Sequence, residues 1–152
     1  MGLFSFSNTI QFFSELEKAK IVQTIQGQER RTSGEIRVFV ESRCRFVDPV
    51  DRAVEVFKSL GMEKTDHRNG VVIYIAVKDH QLAVFGDEGI HQKLGNDFWQ
   101  SEVSKMLAAF NGDQFAEGII HIIGDIGNAL YTHFPYESSD KNELPDDIVF
   151  GH

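Results

Sequence analysis

The sequence predicts an α/β fold: a three-layer α/β/α sandwich around a small mixed sheet, a β-α-β unit plus an antiparallel hairpin strand, with helices on both faces. Three observations carry this. An alternating segment, E-I-R-V-F-V-E-S, and a continuously apolar one, V-V-I-Y-I-A-V, enclose an amphipathic stretch. That is the pattern of two parallel strands joined by a right-handed helical crossover. A further apolar run, Q-L-A-V-F-G, follows across only K-D-H, which is hairpin spacing. Helical periodicity fills the chain on either side, and helices of that number must cover both faces of the sheet.

The elements follow in order. Ser14 and Glu17 make the S-x-x-E capping box, so a helix starts there and runs to about Arg31, with Leu16, Ala19, Val22 and Ile25 as its inner stripe. T-S-G ends it. In the first strand Ile36, Val38 and Val40 point one way and Arg37, Phe39 and Glu41 the other. Asp48-Pro49 is an N-cap followed by proline at the first helical position. Val50, Ala53, Val54, Phe57 and Leu60 then recur at helical spacing up to Gly61, a natural stop. Val71 to Val77 is β-branched throughout much of its length and reads as a strand buried on both faces. After Gln81 to Gly86 comes a short helix, I-H-Q-K-L-G. Another opens near Asn96-Asp97, with Trp99, Val103, Met106 and Phe110 inward. The last helix runs from about Asp113 to Thr132, and five isoleucines between Ile119 and Ile126 make it the most buried. Gly118, Gly124 and Gly127 lie inside it, each costing roughly 1 kcal/mol against Ala; close packing on the sheet is the expected reason. The folded domain spans residues 12–134. Residues 135–152 form an acidic tail, or an arm packing over the domain with its terminal I-V-F.

Composition narrows the function. The 152 residues, 41% hydrophobic and 25% charged, suit one globular domain, and thirteen Phe against one Trp point to a phenylalanine-rich core. A net charge of -8 without a basic run disfavours nucleic acid and an electrostatic membrane patch, and favours solubility or cations. Cys44 is the only cysteine, so a disulfide framework is excluded and a reducing, cytoplasmic setting is expected. The N-terminal stretch lacks the basic and apolar regions of a secretory signal. No apolar run reaches the roughly 20 residues that span a bilayer, so the chain is not expected to be membrane-embedded.

Topology brings distant loops together. Parallel strands one and two start at one edge of the sheet, and the returning hairpin strand ends there. Glu35, the T-D-H-R-N-G loop before strand two and the G-D-E-G step after strand three should therefore meet. Asp66, Asn69, Asp87, Glu88 and Glu35, with Asp97 from the next helix, are the candidate ligands of a divalent cation. Carboxylates held close repel unless neutralised, and calcium or magnesium accepts oxygen donors of this kind. No Cys/His cluster supports structural zinc. Arg68 is either an anion-binding residue or an internal partner for Asp87. The simpler alternative is that Asp87 and Glu88 cap the following helix and that Asp66 and Asn69 serve a turn. His121 and Asp125 stand at helical spacing as a surface contact, and Ser33 and Ser42 lack a nucleophile elbow.

T-S-G-E-I-R-V, R-N-G-V-V-I-Y-I-A, L-A-V-F-G-D-E-G-I and the F-x-x-G-I-I segment from Phe115 to Ile120 together resemble the TPM domain. The chain looks like a soluble, stand-alone bacterial branch, which also carries a tail like N-E-L-P-D-D-I. The resemblance implies an α/β/α sandwich and a calcium- or magnesium-type site in an acidic cleft. In some members it implies weak acid phosphatase activity, and it implies roles in protein assembly or repair with a protein partner. The family's common Asp-Asn-Gly is here Arg68-Asn69-Gly70, and its G-x-G-x-E loop is here Gly86-Asp87-Glu88-Gly89.

Overall fold

In a computed structural model the described residues are 12–110, 114–136 and 148–151. They form α1 (Glu15–Glu29), β1 (Glu35–Glu41), α2 (Pro49–Ser59), β2 (Gly70–Ala76), β3 (Gln81–Gly86), α3 (Glu88–Leu94), α4 (Asn96–Phe110), α5 (Phe115–His133) and β4 (Ile148–Phe150). The sheet order is β3-β2-β1-β4. β1 and β2 are parallel through the α2 crossover, and β3 returns antiparallel to β2. The expected α/β class and the mixed sheet are therefore present.

Local chemistry sets the boundaries. The capping box forms: the Ser14 amide donates to Glu17 Oε1 at 2.8 Å and the Glu17 amide to Ser14 Oγ at 3.0 Å. Asp48 Oδ1 accepts from the Val50 amide at 2.9 Å and starts α2 with Pro49 in its first turn. Gly61, at φ +70°, ends the segment in the left-handed region. The proposed start of the last helix at Asp113 lies outside the described residues.

Each face of the sheet has its own core. Ile36, Val38, Val40, Val71, Ile73 and Ile75 point into a large cluster with residues of α1, α4 and α5. Phe39, Val72, Tyr74 and Ala76 point the other way, onto Ala53, Val56 and Phe57 of α2 and Met62. β1 alternates as its sequence predicts. What the alternation did not convey is that the second face is buried as well, Arg37 and Glu41 included, with Glu41 held from α2. Glu41 is held by a two-pronged bond from Arg52, Nε to Oε2 at 2.9 Å and Nη2 to Oε1 at 3.0 Å, and it accepts the Tyr74 hydroxyl.

Three expectations change. In α1 the buried positions are Ile21 and Ile25, while Leu16 is exposed, so the inner stripe is rotated from the expected one. Gly118 and Gly127 of α5 serve helix packing rather than packing on the sheet. A Cβ on Gly118 would lie 2.6 Å from Cβ of Ala109 on α4, and one on Gly127 would lie 2.2 Å from the Gln28 side chain on α1. Nothing in the structure explains Gly124, whose added Cβ would meet open space. The terminal I-V-F takes a more specific form than a tail or a packing arm: it is β4, parallel to β1 with Val38 opposite Ile148 and Val40 opposite Phe150. The acidic stretch 137–147 lies outside the described residues.

Candidate functional site

The loop before β2 and the step after β3 meet, as topology requires. The Asp87 amide donates to Gly70 O at 2.9 Å, and the Gly89 amide to Arg68 O at 2.8 Å. Gly89 is needed for this approach, because a Cβ there would sit 2.1 Å from His67 O and 2.7 Å from Arg68 O. Asp87 is also the N-cap of α3: its Oδ1 accepts from the Glu88 amide at 2.8 Å.

The charges resolve within the corner. Arg68, at φ +51°, turns its guanidinium onto Asp87. Nε reaches Oδ2 at 2.7 Å and Nη2 reaches Oδ1 at 2.9 Å, while Nη1 contacts Glu88 Oε1 at 3.3 Å. The fork bonds pair a planar cation with a planar carboxylate. The bond to Asp87 pushes the guanidinium's pKa further up. The Asp87 side chain is 5% exposed, that of Arg68 42% and that of Glu88 62%. The anchor is thus buried and its partner faces solvent.

The other candidates are placed as follows. Asn69 is buried and ties two loops together: its side-chain amide donates to Ser33 Oγ at 3.2 Å, and its backbone amide to Thr65 Oγ1 at 3.3 Å. Glu35 is buried at the start of β1, where its amide donates to Asn69 O at 3.4 Å. Asp66 is exposed on the loop. Asp97 is exposed on the first turn of α4 and lines a different groove, with Glu102, Lys105 and Asp125. His121 Nε2 stands 3.8 Å from Asp125 Oδ2, the surface contact expected from their spacing.

Among the described residues no three His, Cys, Asp or Glu side chains are grouped as a metal cage. Both Asp87 oxygens are engaged by Arg68. The corner does not fit a closed calcium cage.

Sequence reasoning missed what the corner opens onto. A cleft of about 1010 Å³ runs from Arg68, Asp87 and Glu88 along β3, between α4 and the start of α2. Trp99 packs over Gly86, and its Nε1–H donates to His91 Nδ1 at 3.0 Å, so the His91 ring carries its own proton on Nε2. The available signal was the spacing of Trp99, Val103 and Leu107, four residues apart on one helix face. Leu107 was not read as part of that face.

Comparison with known proteins bears on these features. The sequence profile described as "TPM domain" matches residues 7–129. The NMR structure of BA42 from the psychrophilic bacterium Bizionia argentinensis is similar, with 38% identity, a TM-score of 0.83, and coverage of 92% of this chain and 96% of that one. The N-terminal domain of cg2496 from Corynebacterium glutamicum shares the fold at 14% identity and a TM-score of 0.58, covering 86% of this chain and 81% of that one. No curated protein matches.

Proposed function

Since the chain belongs to the TPM domain family, we propose that it is a divalent-cation-binding domain whose ion, calcium or magnesium, exchanges with Arg68 at the Asp87–Glu88 corner. One observation carries this reading: a nearly buried carboxylate is neutralised by a side chain that is 42% exposed on its outer side, with a second carboxylate adjacent. Asp87 is fixed by its backbone and by its capping bond, so releasing Arg68 leaves a preorganised acceptor. Glu88 contributes the adjustable donor. The balance opposing the ion is the positive end of α3, which already favours Asp87 as an anion. Binding of moderate strength is the consequence, with a preference for an ion that keeps its waters.

The corner accounts for any role in protein assembly or repair only as a point of attachment. Catalysis by a metal-assisted phosphatase route, with Arg68 gripping the anion, competes with the three bonds Arg68 already donates to carboxylates. Titration with magnesium and with calcium, followed by amide chemical shifts, tests the proposal. Saturable shifts at residues 66–69 and 86–90 are expected, together with an enhanced affinity in Arg68→Ala, which removes the competitor. Absence of shifts there at millimolar ion, or weaker binding in Arg68→Ala, defeats the cation reading.

A further inference from the structure

β3 is an edge strand, and its register shows which of its backbone groups face outward. The Asp87 amide bonds Gly70 O, and Gly86 lies opposite Val71. In an antiparallel pair this makes Gly86–Val71 a non-hydrogen-bonded pair, and pairs of that kind alternate along the ladder. Leu82, Val84 and Gly86 therefore direct their N–H and C=O groups away from β2. None of the loop, turn or cap hydrogen bonds of the described residues uses these groups. Unpaired edge groups are a template for another strand.

The surroundings of that edge are shaped for side chains. Trp99, Val103 and Leu107 form a wall along α4, and Val50 at the start of α2 forms the opposite lip. Val50 and Leu107 are 43% and 40% exposed, so the two lips of the cleft present apolar surface to whatever enters it. β3 is six residues long, ~20 Å of extended chain at the spacing of a strand.

Charge selects among extended ligands. The cleft ends at Arg68, Asp87 and Glu88, one positive group against two negative ones, within a chain of net charge -8. Its open end therefore suits a cation. β3 runs from Gln81 toward this corner, so a strand added antiparallel to it places its N-terminal end there. Antiparallel addition is also the stronger pairing per residue.

We infer that the cleft binds an extended segment of another protein as a fifth, antiparallel strand on β3. Its recognised features are a basic residue at the N-terminal end, meeting the exposed Glu88, and apolar side chains at alternate positions, packed against the α4 wall. Main-chain bonds to Leu82, Val84 and Gly86 supply affinity, and the wall and the corner supply specificity. This inference does not depend on cation binding, although an ion at the corner would compete with the basic residue.

The test uses the full chain in chelator and a synthetic hexapeptide that alternates Val with Thr behind an N-terminal Lys. Trp99, the only tryptophan, reports by fluorescence, and amide shifts report on the edge. Saturable binding with downfield shifts of the Leu82, Val84 and Gly86 amides is expected. Glu88→Lys in the protein, or Glu for Lys in the peptide, should weaken binding about tenfold or more, equivalent to at least ~1.4 kcal/mol. Leu107→Glu, on the exposed lip, should weaken it while leaving the fold's spectrum intact, and a proline at the peptide's third position should abolish it. The inference is overturned by silence of the three amides at millimolar peptide, or by shifts confined to Asp87 and Glu88. It is also overturned if the edge is already taken: by a second copy, seen as a concentration-dependent dimer the peptide does not dissociate, or by the chain's own residues 1–11, seen as cross-peaks to the Leu82 or Val84 amides in the free protein.

Discussion

Glu41 shows how much one carboxylate constrains. It is buried at the end of β1, between the bidentate Arg52 guanidinium and the Tyr74 hydroxyl. Taking Arg52 away leaves a buried charge without its counter-ion, which costs about 3–5 kcal/mol in such cases. Arg52→Ala should lose about that much in urea unfolding. Tyr74→Phe should lose less, about 1–3 kcal/mol, because Arg52 still satisfies both oxygens. Equal losses, or a neutral Arg52→Ala, would show that water takes over the salt bridge. Burial, and then the bond to Glu41, push the Tyr74 hydroxyl pKa well up. Only part of this was legible. Alternation put Arg37 and Glu41 on the face opposite Ile36, but a polar residue on a strand reads as solvated until the covering helix is placed. Loop residues were harder still. The G-D-E-G and T-D-H-R-N-G segments were brought together correctly from topology, yet which side chain meets Asp87 depends on the left-handed backbone of Arg68, and the sequence carries no signal for φ at an arginine.

At the scale of elements, α4 and α5 are joined by a charge cluster that sequence spacing showed only in part. Lys105 Nζ lies 3.1 Å from both Glu102 Oε2 and Asp125 Oδ2. Burial, then the bond with Asp125, push the Glu102 carboxyl above the usual range. For Asp125, burial raises the pKa, but bonds from Glu102 and Lys105 outweigh it and the net shift is down. The two signs give different pH windows. A raised folded-state pKa means that Glu102 adds stability below the ordinary carboxylate value and loses it as pH rises through the folded value. A lowered one means that Asp125 adds stability above the ordinary value and loses it as pH falls through the folded value. Glu102→Gln fixes the neutral form. It should raise the melting temperature at pH 7, by about 2–4 °C if the gain is near 1 kcal/mol, with the advantage shrinking toward pH 4. A constant difference across that range in calorimetry would mean that Glu102 does not titrate with folding. The element the sequence did not yield is β4. Three apolar residues carry too little periodicity to tell a strand from a packing arm, and their partner β1 is more than a hundred positions away.

For the whole molecule, the two cores are unequal. Residues of α1, α4 and α5 line one face of the sheet, whereas α2 with the Met62 turn covers the other. The layers were legible in the sequence but this imbalance was not, since the periodicity of a helix says that it has a buried face and not how many neighbours share it. Stability distributes accordingly, because a layer that one helix holds among the described residues can open without breaking the larger core. α5 buries eight residues against three in α2. Amides of α2 should therefore exchange through a sub-global opening, at a lower free energy than those of α5, which should exchange only with global unfolding. Native-state hydrogen exchange at increasing low denaturant separates the two. Phe57 stacks edge-on against Phe85 of β3, with ring centres 5.0 Å apart, and anchors the thin layer. Phe57→Ala should cost about 3–5 kcal/mol, with the loss falling first on α2: its amides should lose protection by more than those of α5 at the same denaturant concentration. Uniform loss across both helices would mean that the sheet transmits the opening and the sandwich unfolds as one unit. Because α2 also forms one lip of the β3 cleft, that same opening would widen the groove at Val50 while leaving the α4 wall in place. The thin layer is thus where the fold can yield to a ligand, and the thick layer is what holds the edge strand in register while it does.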